Sequence, residues 1–183
     1  NKSSTESNLH EYITDCYQKN IEILPPNINE SKYDFNVVDG KIRFGLNSIK
    51  GLGDAAIENI IENQPYKSLN DFYKTVERRV VNKTAVEALI KSGAFDNFKK
   101  NRKELQYDYR ELRKEGPGAN SLFSYSQLHE DSFSKEDVIQ MELETLNMSV
   151  SYPSEWDMLQ DGETITLQGE IIESSEATDK NDD

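Results

Sequence analysis

The sequence has few residues that could form covalent or metal staples, and it has no long hydrophobic run. It contains one cysteine and two histidines, so Cys16 cannot form an internal disulfide, and His10 and His129 do not give a zinc-ligand spacing. No apolar run approaches the roughly 18 residues of a membrane span, and no basic-then-apolar signal pattern begins the chain. We therefore expect a cytoplasmic protein without a disulfide, a metal staple or a membrane contact.

Charge is distributed unevenly along the 183 residues, whose formal net charge is −13. From Glu130 to Asp183, sixteen acidic residues stand against two lysines, which gives a net charge of −14. From Lys74 to Lys103, nine basic residues stand against three acidic ones, which gives a net charge of +6. The chain therefore has a basic middle and an acidic end, so the total charge does not exclude a nucleic-acid partner.

A proline pair and a turn dipeptide organise the first 46 residues. Pro25-Pro26 ends a short apolar run and predicts an extended, buried link. Apolar residues alternate on either side of Asp39-Gly40, a dipeptide that tolerates the positive φ angles of a two-residue type I′ turn. This pattern predicts a β-hairpin, in which the facing residues are Phe35 and Val37 on one strand and Ile42 and Phe44 on the other.

Most of the remaining chain follows a helical period. Ser68 and Asn82 are typical N-cap residues, and Gly93 is typical of the left-handed position after a helix. Ser134 and Asp137 have the spacing of a capping box, which places Ile139, Leu143 and Leu146 on one side of the last helix. Helices are predicted near Ser7, after Gly53, from Ser68, from Asn82 to Gly93, from Asp96 to about Lys114, and from Ser134.

The corner Gly51-Leu52-Gly53 lies between two apolar-periodic segments, and a similar corner recurs at Gly93, about 40 residues later. Glycines let a hairpin backbone approach a phosphate closely, and the first amides of the following helix are donors at the positive end of its dipole. Such contacts bind the DNA backbone without reading its sequence. The pattern favours two helix-hairpin-helix motifs that bind duplex DNA, and plain helix caps without a ligand are the alternative.

Several segments also resemble consecutive blocks of one family, the C-family replicative DNA polymerases (bacterial DNA polymerase III alpha subunits). The blocks are "LPPNINES", "DGKIRFGLNSIKGLGDAAIENIIE", "VNKTAVEALIKSGAFDNF" and, more loosely, "MELETLNMSVS". The resemblance covers roughly Leu9 to Val150 and preserves the order of the blocks. It implies the end of a fingers domain, followed by tandem helix-hairpin-helix motifs that grip duplex DNA. An oligonucleotide-binding barrel comes next in the family, and the segment "ITLQGEII" resembles the first strand of that barrel.

The resemblance implies a second partner, the sliding clamp. In the family, a short peptide after the tandem hairpins ends in an apolar pair that docks on the clamp, and Ser121-Leu122-Phe123 stands at that place. The family pattern begins with Gln, whereas this chain has Ala119 there. The alternative is that Leu122 and Phe123 fold back on the core.

Taken together, these patterns predict a mainly α fold with one β-hairpin, a tandem helix-hairpin-helix domain, a C-terminal helix and a truncated strand. The predicted ranges are a fingers-like part at 1–46, the hairpin domain at 47–115, a linker at 116–132, the C-terminal helix at 133–160, and the strand with an acidic tail at 161–183. The predicted DNA contacts are Lys50, Gly51, Leu52, Gly53, Lys91, Ser92, Gly93, Ala94, Lys99, Lys100, Arg102 and Lys103.

The predicted function is sequence-independent binding of duplex DNA by a monomeric, non-catalytic polymerase segment. The family's catalytic aspartates and the Mg²⁺ they would hold belong to a palm domain outside this chain, so no cofactor is expected here. Two alternatives have different signatures. A clamp-docking module would depend on Leu122 and Phe123 alone, and a DNA glycosylase with a helix-hairpin-helix would need a catalytic Asp at a base-sized pocket.

Overall fold

The fold was analysed in a computed structural model, which describes residues 12, 13, 15, 16, 18–113 and 132–153. The described residues between 12 and 18 are helical, and Ile13 is buried. The elements that follow are β1 (Ile23–Leu24), β2 (Asn36–Val38), β3 (Lys41–Arg43), α1 (Asp54–Glu62), α2 (Leu69–Thr75), α3 (Lys83–Lys91), α4 (Arg102–Arg113) and α5 (Lys135–Leu146). Short 3-10 turns lie at Leu46–Ser48 and Asp96–Phe98.

The predicted β-hairpin is present, and it belongs to a three-stranded sheet in the order β1-β3-β2. Val37 lies opposite Ile42 in the antiparallel pair, and the turn residues Asp39 and Gly40 have φ values of 50° and 78°. The segment before the prolines was predicted as an extended link, but its Ile23 pairs with Ile42 in a parallel bridge. The sequence did not show this strand because two residues are too short for a periodic pattern.

The caps predicted for the central helices are confirmed. The Ser68 side chain accepts a hydrogen bond from the amide of Asp71, and the Asn82 side chain accepts one from the amide of Ala85. Each bond satisfies one of the amides that a helix start leaves without an intrahelical partner. Gly93 follows α3 with φ at +82°, as predicted for a left-handed C-terminal glycine.

The helix predicted from Asp96 to about Lys114 begins later than expected. Asp96–Phe98 is a 3-10 turn, and Lys99 then takes a left-handed conformation with φ at 58°, so the chain changes direction before α4 starts at Arg102. The prediction was wrong at this point because the polar composition of residues 96–101 fits a helix start and a turn equally well.

The capping box of α5 is confirmed, since the Ser134 side chain accepts from the amide of Asp137 and the Asp137 carboxylate accepts from the amide of Ser134. The predicted apolar side of α5 is only partly correct. Leu146 is fully buried, but Leu143 is 42% exposed, and the fully buried neighbour is the acidic Glu142. Helix α5 thus buries a charged residue, and this residue forms an ion pair with Arg102 of α4.

Among the described residues, one apolar core joins the helices to the sheet, to which β1 contributes Ile23. Phe72 of α2 is central to it, with ring centroids 4.9 Å from Tyr66 and 5.0 Å from Phe95. The described part of the chain has no helix that is long and apolar enough to cross a membrane. The predicted linker with Leu122 and Phe123, and the predicted strand and acidic tail, lie outside the described residues.

Candidate nucleic-acid interface

The first glycine corner presents an open helix start. Gly51 has φ at +97°, and Gly53 is the N-cap of α1 in an extended conformation without a side-chain cap. The amides of Ala56 and Ile57 both donate to the carbonyl of Gly53, at 2.9 and 3.1 Å. The amides of Asp54 and Ala55, at the first two positions of α1, have no acceptor within the helix. Backbone donors therefore face outward at an exposed corner.

The two glycines of this corner have different surroundings. A Cβ on Gly51 would lie 3.3 Å from the Cβ of Ala88, so glycine lets the corner pack closely on α3. A Cβ on Gly53 would meet nothing within 4 Å. Gly51 is therefore needed for packing and for its positive φ, whereas the space in front of Gly53 is free for a ligand.

One carboxylate stands beside the open amides. Asp54 is the first residue of α1, and its Oδ1 accepts a hydrogen bond of 2.6 Å from the Tyr33 hydroxyl. This bond to a negative group raises the pKa of Tyr33 above its ordinary value. The contact holds the Asp54 carboxylate toward the loop before β2, and a phosphate at the corner would still feel its negative charge.

The second corner uses the amides of Gly93 and Ala94 internally, and in the first corner the amide of Leu52 likewise donates to the carbonyl of Ile49 at 3.2 Å. The amide of Gly93 donates to the carbonyl of Ile90 at 3.2 Å, and the amide of Ala94 donates to the carbonyl of Leu89 at 3.0 Å. Ser92 and Ala94 are buried, and the Ser92 hydroxyl donates to the Leu89 carbonyl. These bonds complete the C-terminus of α3, so the predicted phosphate donors at Gly93 and Ala94 are not available.

Arg102, predicted as a DNA contact, is a buried structural residue. Its side chain is 5% exposed, and a Cβ on Gly93 would lie only 2.4 Å from its guanidinium. The guanidinium donates to the carbonyl of Lys91 at 2.9 Å, to Glu142 at 2.7 Å and to Asp96 at 3.0 Å. Arg102 therefore lies between α3 and α5 with its guanidinium held by protein groups, which does not favour the predicted DNA contact.

Glu142 is the partner that sequence reasoning missed. Its carboxylate is fully buried, and it accepts from the amides of Val150 and Ser151 at 2.7 and 2.9 Å and from the hydroxyls of Ser149 and Ser151. Burial alone would raise its pKa, but the hydrogen bonds from Ser151 and the ion pair with Arg102 lower it below the ordinary value of 4.5. Glu142 thus joins α5, α4 and residues 149–151.

The predicted lysines fall into two groups. Lys91 pairs with Glu144 of α5 at 2.8 Å, Lys100 pairs with Asp108 of α4 at 2.6 Å, and the Lys50 ammonium bonds to the Asn147 side chain. Lys99 is exposed in its left-handed turn, and Lys103 is half-buried on α4.

Within the described ranges, no three His, Cys, Asp or Glu side chains come together as a metal site.

Comparison with known families matches the central part of the chain. Residues 20–105 match the model of the helix-hairpin-helix motif family, a range that includes both corners and the sheet. The chain contains a helix-hairpin-helix domain. The matched range ends within α4, so α5 and the buried Glu142 lie beyond it.

The resemblance to DNA polymerase III alpha subunits is also confirmed. The subunit of Thermus aquaticus is 46% identical over 92 residues, which are 48% of this chain and 8% of that protein. The subunit of Deinococcus radiodurans is 33% identical over 156 residues, which are 69% of this chain and 12% of that protein. The subunit of Aquifex aeolicus is 43% identical over 112 residues, which are 57% and 10%. The chain thus spans about a tenth of the length of these relatives.

Proposed function

We propose that this chain binds duplex DNA through its backbone phosphates, without sequence preference, and that the first glycine corner makes the central contact. The observation that carries the proposal is the exposed corner Gly51–Gly53, which leads into α1 without any side-chain cap. The amides of Asp54 and Ala55 have no acceptor within the helix, and the helix dipole makes this end positive. A phosphate oxygen can accept hydrogen bonds from these amides, and its negative charge is attracted by the positive end of the dipole.

The flanking cations support the same assignment. Lys50 and Lys91 line one groove beside the corner, and Lys99 is exposed near the end of the second corner. The amides of the second corner and the Arg102 guanidinium are left out of the proposed site because other groups of the protein bind them. With few phosphates engaged and Asp54 at the helix start, we expect weak binding, with a Kd of roughly 10⁻⁴ to 10⁻⁶ M.

The parent activity is proposed from the relatives. These relatives are DNA polymerase III alpha subunits, and this chain matches only a small part of their length. We propose that the chain is a non-catalytic DNA-holding segment of such a polymerase, which steadies the primer-template during synthesis. Docking on a sliding clamp through Ser121, Leu122 and Phe123 stays a prediction, since those residues lie outside the described part of the chain.

A Gly53→Asp variant tests the proposal directly. Aspartate is a favoured N-cap residue, so its carboxylate should accept from the first-turn amides of α1 and occupy the place of the phosphate. We expect unchanged or slightly higher stability, by a few tenths of a kcal/mol. Binding to a labelled 20-base-pair duplex, followed by fluorescence anisotropy at about 50 mM salt, should weaken at least tenfold.

Gly40→Asp is the matched control. It makes the same residue change in the exposed β2–β3 turn, where an added Cβ would meet nothing within 4 Å. The φ of Gly40 is +78°, which strains an aspartate there, so circular dichroism must first confirm that this variant is folded. We expect its DNA affinity to stay within about twofold of the original chain. Equal affinities of the two variants would show that the corner does not hold the phosphate, and the proposal would be wrong.

A further inference from the structure

The C-terminal end of α5 contacts both parts of the proposed DNA site. The amide of Lys50, in the first corner, donates to the carbonyl of Thr145 at 2.8 Å, and the Lys50 ammonium bonds to the side chain of Asn147. The ammonium of Lys91, at the end of α3, lies 2.8 Å from a carboxylate oxygen of Glu144. One short stretch of α5 therefore holds the two cations that flank the corner.

Lys50, Lys91, Glu144 and Thr145 line a groove of about 200 Å³ between the first corner, α3 and α5. Its walls carry Lys50 and Lys91 as cations and Glu87 and Glu144 as anions. Glu87 lies 3.5 Å from the ammonium of Lys83 on the same helix, so Glu144 is the carboxylate that pairs with Lys91. The helix dipole adds partial negative charge at the C-terminus of α5, whose last turn contains no basic residue. A negative end of α5 thus lies next to the lysines that would otherwise attract phosphate.

We propose that Glu144 belongs to the DNA interface and limits its affinity, because its carboxylate competes with a DNA phosphate for Lys91. This inference rests on the proposed function and extends the interface to α5, outside the range matched by the family model. DNA binding then includes an exchange in which Lys91 leaves Glu144 and pairs with a phosphate. The Glu144 carboxylate stays near the bound phosphate and repels it.

The exchange is feasible because the pair is on the surface. The side chains of Lys91 and Glu144 are 37% and 46% exposed, so water and salt screen their attraction. The buried pair of Arg102 and Glu142 shows the contrast, since those side chains are 5% and 0% exposed and are fixed by further hydrogen bonds. Only the outer pair can open without disturbing the fold.

The experiment compares Glu144→Gln with Glu136→Gln in the full chain. Both changes remove one negative charge from an exposed position of α5, and eight residues of helix separate the two sites by about 12 Å. Anisotropy of a labelled duplex is measured over a salt series from about 50 to 200 mM. We expect Glu144→Gln to tighten binding about three- to fivefold at low salt, and this gain should shrink toward 200 mM because salt screens the competing charge that the variant removes. Glu136→Gln should change affinity by less than about twofold.

A Lys91→Gln background separates competition from general repulsion. If Glu144 acts by holding Lys91, adding Glu144→Gln to Lys91→Gln should improve binding no more than Glu136→Gln does. An undiminished gain in that background would overturn the competition. Equal effects of Glu144→Gln and Glu136→Gln would also overturn it, and the proposed function would stand if Gly53→Asp still weakened binding. Absence of binding in the original chain and in Glu144→Gln alike would overturn both.

Discussion

Replacing Glu142 by Gln removes the charge from a fully buried carboxylate that joins three parts of the fold. Glu142 receives one charged donor from Arg102, two backbone amides and two hydroxyls, all of which lose an ionic acceptor in the variant. Removing one partner of a buried ion pair typically costs about 3 to 5 kcal/mol, because the remaining charge stays buried without compensation. Gln keeps one acceptor oxygen, but its NH2 group would face groups that are themselves hydrogen-bond donors. We therefore expect a loss of about 3 to 4 kcal/mol.

The assay is urea unfolding at pH 7, followed by far-ultraviolet circular dichroism. With an m-value of about 2 kcal/mol per molar, the expected loss lowers the unfolding midpoint by about 1.5 to 2 M. Glu144→Gln is the matched control, since it is the same change two residues away, on an exposed ion pair with Lys91. Its expected loss is under about 1 kcal/mol.

Two results would refute the reasoning. If Glu142→Gln unfolded within about 1 kcal/mol of Glu144→Gln, the buried pair would not carry the energy that its burial implies. If it lowered the m-value instead of the midpoint, the change would lie in the compactness of the native or unfolded state and not in a lost interaction.

Three further changes have expected outcomes. Gly93→Ala should lower the free energy of unfolding in urea by about 2 to 4 kcal/mol, because the φ of Gly93 is +82° and the new Cβ would lie 2.4 Å from the Arg102 guanidinium. Gly53→Ala is the control, and because the space around Gly53 is open it should lower that free energy by under about 1 kcal/mol. The pKa of Glu142 is lower in the folded chain than its ordinary value of 4.5, so its ionised form stabilises the fold above pH 4.5, and this contribution is lost as the pH falls through the folded-state pKa. The difference in unfolding free energy between the original chain and Glu142→Gln should therefore shrink below pH 4.5. A constant difference down to pH 3 would contradict this expectation. Ser134→Ala should cost about 1 kcal/mol because the capping box of α5 is lost, whereas a change below 0.3 kcal/mol would show that the box contributes little.

Local rules were enough for the turns and caps. Asp39-Gly40, Ser68, Asn82, Gly93 and Ser134 all do what their residue types favour, because these features depend on a few neighbouring residues. The same reasoning failed between Asp96 and Arg102, where local preference does not distinguish a 3-10 turn from a helix start.

The candidate site was predicted in part. The glycine corner at Gly51–Gly53 was found from sequence because glycine spacing and a following helical stripe are local signals. The pairing of Lys91 with Glu144, and of Arg102 with Glu142, joins residues 53 and 40 positions apart. No periodicity or motif links such residues, so a basic stretch in the sequence looked more available to DNA than it is in the fold.

By itself, the sequence determined where most helices start and stop, where the β-hairpin turns, and that a glycine corner precedes α1. These follow from dihedral preferences, capping and apolar spacing, which act over a few residues. Only the tertiary structure decided which basic residues face solvent and which are neutralised, because that depends on how α5 packs against α3 and α4. It turned Arg102 from a predicted DNA contact into a buried ion pair with Glu142, and it brought Glu144 beside Lys91.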